Sequence, residues 1–311
     1  MSKSEQIEEL QEILRDDSEN YRARRELALI LIDEGFAKEA SQHLLYLIKK
    51  IKDDSSLYFN LGIAFEKQKL FKKAKAAYLK SIEINPNSPD SIYNLGLVYT
   101  ELQNYDRGIE CFRRILSEDE NDSNSYFNLG ICYFKKGDYV KALLNFQNTI
   151  DINDEDLYAH FYIGNILFEM KEYDSAKDEF YKVLGLSPDY SWAYYNLACI
   201  AYEEGDYEAV SVNLNKTLEL NPKDEGAYIN YAKLMAKMDM YDEAKMVFAS
   251  AVENCLEKGK LCYIAAQMAK NLGHNDDYLL YLNNALEYRD TLGNISVDTV
   301  MSEIENANQE E

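Results

Sequence analysis

The stretch Tyr58-Phe59-Asn60-Leu61-Gly62 returns as Ile92-Tyr93-Asn94-Leu95-Gly96 and again as Tyr126-Phe127-Asn128-Leu129-Gly130, each time 34 residues further on. The frame continues through His160-Phe161-Tyr162-Ile163-Gly164 and Tyr194-Tyr195-Asn196-Leu197-Ala198. It weakens into Tyr228-Ile229-Asn230-Tyr231-Ala232 and Cys262-Tyr263-Ile264-Ala265-Ala266, and it reaches back to Arg24-Arg25-Glu26-Leu27-Ala28. A constant period of this length marks one supersecondary unit copied along the chain. A single unit cannot bury its own apolar face, so its neighbour must cover it.

Within the period the pattern fits two antiparallel helices. Gly62, Gly96 and Gly130 stand where the helices approach closely and a Cβ would hold them apart. Ala74, Ala142, Ala176 and Ala244 are small for the same reason on the second helix. Tyr78, Phe112, Phe146, Phe180 and Phe248 are expected to fill the space between adjacent units. Turns such as Lys136-Gly137-Asp138-Tyr139 and Glu204-Gly205-Asp206-Tyr207 join the helices. Pro86, Pro188 and Pro222 end second helices, since proline cannot donate to the helical ladder.

Period and pattern together resemble the tetratricopeptide repeat. The stretch 55–88 shows Tyr58, Leu61, Gly62, Phe65, Ala74, Tyr78 and Pro86. The stretch 123–156 shows Tyr126, Leu129, Gly130, Tyr133, Ala142 and Phe146, with Asp154 in place of the closing proline. The resemblance implies an all-α fold, a right-handed α-solenoid of about eight helix-turn-helix units. Their expected bounds are 21–54, 55–88, 89–122, 123–156, 157–190, 191–224, 225–258 and 259–292. Residues 1–20 are expected to form an N-terminal capping helix, and 293–311 a C-terminal capping helix with an acidic tail.

Apolar stripes support both caps. Ile7, Leu10, Ile13 and Leu14 share one helical face, as do Val297, Val300, Met301 and Ile304. A capping helix is predicted over 296–306, with a frayed tail from Ala307 to Glu311. Two readings of the ends stay open: they shield the core, or one of them self-associates into a homo-oligomer.

The 33 basic and 55 acidic residues leave a net charge of −22. Such a chain repels phosphate backbones, so nucleic acid is excluded as a partner class and a basic protein or peptide is favoured. Cys111, Cys132, Cys199, Cys255 and Cys262 form no CxxC pair, which points to reduced thiols and a cytoplasmic protein. The polar start is not that of a secretory leader, and no apolar run is long enough for membrane insertion.

In the tetratricopeptide family the first helices line a concave groove. The second, fifth, sixth, ninth, twelfth and thirteenth positions of each unit face it. By that resemblance the sixth position carries Asn60, Asn94, Asn128, Asn196 and Asn230, interrupted by Glu26 and Tyr162. An amide both donates and accepts, which suits an extended peptide backbone; a local packing role is the alternative. The fifth position carries Phe59, Tyr93, Phe127, Phe161, Tyr195 and Tyr263. Phe134, Tyr158, Tyr162, Phe168, Trp192 and Tyr202 add rings at other groove positions, and Trp192 is the only tryptophan. Partly exposed rings of this kind anchor partners, each contributing about 2 kcal/mol when central. The alternative is that they pack on one another and stiffen the fold. The expected hot spot spans 123–224, with Trp192→Ala and Phe161→Ala together expected to abolish capture and spare melting. The Lys and Arg pattern that grips chaperone C-termini in some members of the family is missing, which argues against that role.

Catalysis finds no footing. There is no phosphate loop or GxSxG elbow, and His43, His160 and His274 lie in separate units. His160 reads as a core histidine and Cys199 as a small thiol at a groove position. No cofactor or metal is expected. The chain reads as an interaction scaffold, with a structural assembly subunit as the competing class.

Overall fold

The computed structural model describes residues 2–310, residues 309 and 310 by their backbone alone. Among the described residues it holds eighteen α-helices, one 3-10 turn and no strand, an all-α helical-repeat fold. Two compact units divide the chain, Met1–Ala159 and His160–Glu311. The first holds α1 (Lys3–Asp16), α2 (Tyr21–Asp33), α3 (Ala37–Lys50), α4 (Ser55–Lys67), α5 (Phe71–Ile84), α6 (Pro89–Glu101), α7 (Tyr105–Leu116), α8 (Ser123–Lys135) and α9 (Tyr139–Ile152). The helix α10 (Leu157–Glu169) contains the division. The second unit continues with α11 (Tyr173–Leu186), α12 (Ser191–Glu204), α13 (Tyr207–Leu220), α14 (Glu225–Lys237), α15 (Tyr241–Asn254), α16 (Lys258–Asn271), α17 (Asn275–Glu287) and α18 (Val297–Glu310).

Local chemistry sets these bounds. Asn20, Asp54, Ser88, Asp122, Asp156 and Asp224 each accept a hydrogen bond from a backbone N–H of the turn that follows, and they fall in one register of 34 residues. Such a cap stabilises a helix start by about 1 kcal/mol. Tyr190 occupies that register before α12 and makes no side-chain cap. The hairpin turns share a second register. Gly35, Lys69, Gln103, Gly137, Lys171, Gly205, Asp239 and Gly273 all have positive φ, between 58° and 87°. A left-handed residue reverses the chain there whether or not glycine supplies it. Past the second helices, Pro86, Pro188 and Pro222 each follow the last helical residue by two positions.

Packing explains the small residues of the first helices. A Cβ on Gly62 would lie 2.4 Å from the Tyr78 ring, and one on Gly130 2.6 Å from the Phe146 ring. Gly96 and Gly164 stand in the same relation to Phe112 and Phe180, at 2.8 Å each. These second-helix rings therefore reach their own first helix as well as the next hairpin, where Tyr78 clusters with Leu95 and Val98. Where the second helix offers leucine, alanine replaces glycine: Ala28 with Leu44, Ala198 with Leu214, Ala266 with Leu282.

Both ends of the chain are helical. Ser2 and Glu5 form a reciprocal capping box at α1, whose Leu10, Ile7, Ile13 and Leu14 pack on Leu27 and Leu31. At the other end Val300 and Leu292 are buried and Ile304 packs against them. Val297 and Met301, expected on the same apolar stripe, point away and are exposed. The frayed tail expected from Ala307 is corrected: the helix runs through Glu310 and Ala307 packs on that core, while Glu311 lies outside the described residues. No helix among the described residues is long and apolar enough to cross a membrane.

Candidate peptide-binding face

In the first unit, α4, α6 and α8 present Phe59, Asn60, Tyr93, Asn94, Phe127, Asn128 and Phe134, all half-buried. The fifth-position rings rest on the second-helix rings. Centroids lie 6.0 Å apart for Phe59 and Tyr78, 5.7 Å for Tyr93 and Phe112, and 5.5 Å for Phe127 and Phe146. Phe134 packs 5.8 Å from Tyr139. Asn128 Nδ2 donates to the Tyr93 hydroxyl at 2.9 Å and to the Asn124 carbonyl at 2.8 Å. Burial, with the charge of Asp122, raises the Tyr93 phenol above its ordinary pKa. Asn94 bonds the Tyr78 hydroxyl, which itself donates to Glu66 at 2.9 Å. Tyr158 is the most open ring of this unit's set, 58% exposed.

In the second unit, Phe161 is hemmed by Phe180 at 6.0 Å, Tyr190 at 5.3 Å and Tyr162 at 6.0 Å. Phe168 packs 5.8 Å from Tyr173, and Tyr202 6.2 Å from Tyr207. The Lys237 ammonium sits 4.4 Å above the Tyr202 ring. Asn196 Nδ2 donates to Asn165 Oδ1 at 2.9 Å, and Asn230 Nδ2 to the Tyr195 hydroxyl at 2.7 Å. Burial, with Cys199 and Asp224 nearby, pushes the Tyr195 phenol up to about 12. Trp192 is 50% exposed and meets Tyr195 edge-on at 6.0 Å.

Phe161, expected as an anchor, is half-buried and also meets three ring neighbours. Phe161→Ala is therefore expected to lower the melting temperature, against the sequence-based expectation that the Trp192 and Phe161 pair could be removed without cost. The amides are also more occupied than an idle ladder would be, because Asn128, Asn196 and Asn230 give N–H groups to neighbouring side chains. One feature escaped sequence reasoning altogether. A pocket of about 290 Å³ opens among Phe168, Ala198, Cys199, Tyr202, Glu203, Val210, Leu214, Asn230 and Lys233. Its signal was present as departures from the repeat at Cys199 and Leu214.

His160 is buried, its Nδ1 2.6 Å from Glu179. Burial pushes the Cys111, Cys199 and Cys262 thiols up to about 11 and raises those of Cys132 and Cys255. No group of three or more histidine, cysteine or acidic side chains able to hold a metal ion occurs among the described residues.

Helical hairpins in a constant register, with glycine set against a ring, define a helical-repeat protein. Models of the tetratricopeptide repeat match residues 55–88, 90–155, 157–190 and 193–224, more than half of the chain, so the chain belongs to the tetratricopeptide repeat family. No relative among the curated proteins matches the sequence. Among solved structures, a tetratricopeptide repeat protein from Parabacteroides merdae is similar over 80% of this chain and 98% of its own, with 17% identity and a TM-score of 0.64. MamA 41-end from Desulfovibrio magneticus RS-1 is similar over 55% of this chain and 97% of its own, with 20% identity and a TM-score of 0.53. A chain of the APC/C hetero-tetramer Cut9-Hcn1 is similar over 79% of this chain and 49% of its own, at 15% identity and a TM-score of 0.58. These likenesses are of fold.

Proposed function

We propose that this chain is a non-catalytic scaffold that holds a segment of a partner protein against its first-helix face. The observation that carries this reading is the half-exposed Trp192. An indole left half in water on a well-packed helix loses burial that a partner can restore, which is how interface anchors behave. Tyr202 in the same unit and Tyr158 in the first are exposed in the same manner. Asn128 and Asn230 each spend Nδ2 on a tyrosine hydroxyl, which leaves an amide oxygen as an acceptor for a partner backbone. The net charge of −22 favours a basic segment. The raised thiols support the non-catalytic assignment, since a protonated thiol is a poor nucleophile. Free thiols also suit a reducing compartment, and we assign the cytoplasm. The expected repeat bounds, from 21–54 to 259–292, remain part of this proposal. Capture of a client from native lysate, compared between wild type and Trp192→Ala, tests the reading; equal capture at equal melting temperature ends it.

A second reading is assembly through the second helices. Val140 and Leu144, one turn apart on α9, are 74% and 61% exposed. Light scattering of Leu144→Glu tests it, a change in mass being required.

A further inference from the structure

We infer that the 290 Å³ pocket of the second unit is the specificity site of this face, and that it takes one bulky aliphatic or aromatic side chain of a peptide that carries a lysine or arginine close by. The inference rests on the scaffold reading and names the partner's chemistry.

The pocket arises from two truncations at fixed repeat positions. The ninth position is Ile63, Leu97 and Ile131 in three earlier hairpins but Cys199 here. The large second-helix position is Tyr78, Phe112, Phe146 and Phe180 in the four preceding hairpins but Leu214 here. Ala198 adds one methyl in place of glycine, far less than the ring removes. Tyr195 thus lacks the ring partner that Phe59, Tyr93, Phe127 and Phe161 rest on, and turns its edge to Trp192 instead. The space left is walled by Phe168, Ala198, Val210 and Leu214. An apolar cavity of about 150 Å³ already accepts a benzene ring, so the volume here suffices for a large side chain.

The rim selects a peptide. Asn230 spends Nδ2 on Tyr195, leaving its carbonyl oxygen to accept a backbone N–H, while the Lys233 ammonium can donate to a backbone carbonyl. A peptide presents both groups one residue apart. Glu203 stands on the rim with no ion pair among the described residues, and Glu169 occupies the same register on α10. Against these two carboxylates stands one lining ammonium, Lys233, since Lys237 lies over the Tyr202 and Tyr207 rings. The unbalanced carboxylates thus favour a cation beside the buried side chain.

The test is selection of a displayed random-peptide library on the wild-type chain, followed by binding of the selected peptides to two pocket-filling variants. Cys199→Ile and the double variant Ala198→Gly, Leu214→Phe restore residues that earlier hairpins already hold at these positions, and circular dichroism checks that both fold. Expected are peptides with one recurrent bulky apolar residue near a basic one, and weakening by about ten- to hundredfold in both variants, the worth of one buried side chain. Selected peptides without that pair, or peptides that bind filled and wild-type chains alike, overturn the pocket while the scaffold reading stands. No selected peptide at all overturns both. Concentration-dependent self-association that Cys199→Ile abolishes overturns the peptide and assigns the pocket to a second copy of the chain.

Discussion

Asn128 donates from Nδ2 to the Tyr93 hydroxyl at 2.9 Å, across a sequence separation of 35 residues. Asn230 makes the same bond to Tyr195 at 2.7 Å over the same separation. Tyrosine at the fifth position of one hairpin thus receives the amide at the sixth position of the next. The bond ties consecutive first helices together through side chains. Where the fifth position is phenylalanine, as at Phe59 and Phe127, no hydroxyl is offered.

A double-mutant cycle on this pair is expected to show coupling. Asn128→Ala is expected to cost about 1–2 kcal/mol in urea denaturation, and Tyr93→Phe about 1 kcal/mol. The double variant is expected to cost less than the sum by about 1 kcal/mol, since each single change already removes the shared bond. Strict additivity would mean that the two groups are neighbours without an energetic link.

The hairpin turns predict stabilising substitutions. Lys69, Gln103 and Lys171 are exposed and held at φ of 58°, 58° and 62°. A β-carbon is disfavoured in that region, and Gly137 and Gly205 fill the same turn without strain. Lys69→Gly, Gln103→Gly and Lys171→Gly are each expected to add about 0.5–1 kcal/mol after the entropy of the unfolded glycine is subtracted. Asp239→Gly is expected to gain least, because aspartate tolerates the left-handed region. Chemical denaturation of the four single variants checks the order.

Much of this was legible in the residues, and the limits are physical. The recurrence from Tyr58-Gly62 to Tyr126-Gly130 carries the hairpin register, because a glycine opposite a ring has one steric explanation. The prolines after the second helices are equally direct. By contrast, the sixth-position register of Asn128 is legible, but its bond to Tyr93 depends on how closely two first helices approach, and spacing does not encode that distance. The ring contacts of Phe161 are hidden for a related reason: its register does not encode how near Phe180, Tyr190 and Tyr162 come to it. The pocket was hidden in plain residues, since Cys199 and Leu214 are apolar and break no pattern of polarity. Only their loss of volume, relative to the branched aliphatics and the rings of earlier hairpins, marks the site. The acidic surroundings of Ala307 suggest a tail, although its spacing from Val300 and Ile304 continues the buried stripe of α18.

The fit of glycine to ring gives a third expectation. Gly130→Ala places a Cβ 2.6 Å from the buried Phe146 ring, and overpacking of this kind costs about 1–3 kcal/mol. The hairpin of Ala232 and Phe248 buries both side chains, which argues for the lower end of that range. Adding Phe146→Leu recreates the Ala198 and Leu214 pairing. The double variant is therefore expected to be less destabilised than the two single losses summed. Thermal melts of the three variants decide it, and a cost equal to the sum would show that the pair is not matched.

The last expectation concerns acid and the C-terminal helix. Glu303 on α18 accepts from the Tyr263 hydroxyl at 2.7 Å, the Tyr278 hydroxyl at 2.8 Å and the Gln267 amide at 2.7 Å. Burial alone would raise its pKa, but those three donors and the charge of Lys270 outweigh it, so the carboxyl titrates below its ordinary value of 4.5. A carboxylate depressed on folding contributes stability above its unfolded pKa and loses it as pH falls through the folded one. The docking of α18 is thus expected to be constant near neutral pH and to weaken in the acid range, below the ordinary carboxylate value. Hydrogen exchange of the α18 amides, followed from about pH 6 to pH 3, reads this directly. Glu303→Gln keeps the shape but cannot ionise. It is expected to lower protection at neutral pH, by about 1–2 kcal/mol, and to flatten the acid dependence. If the glutamine variant loses protection on acidification as steeply as wild type, some other group governs the release of this helix.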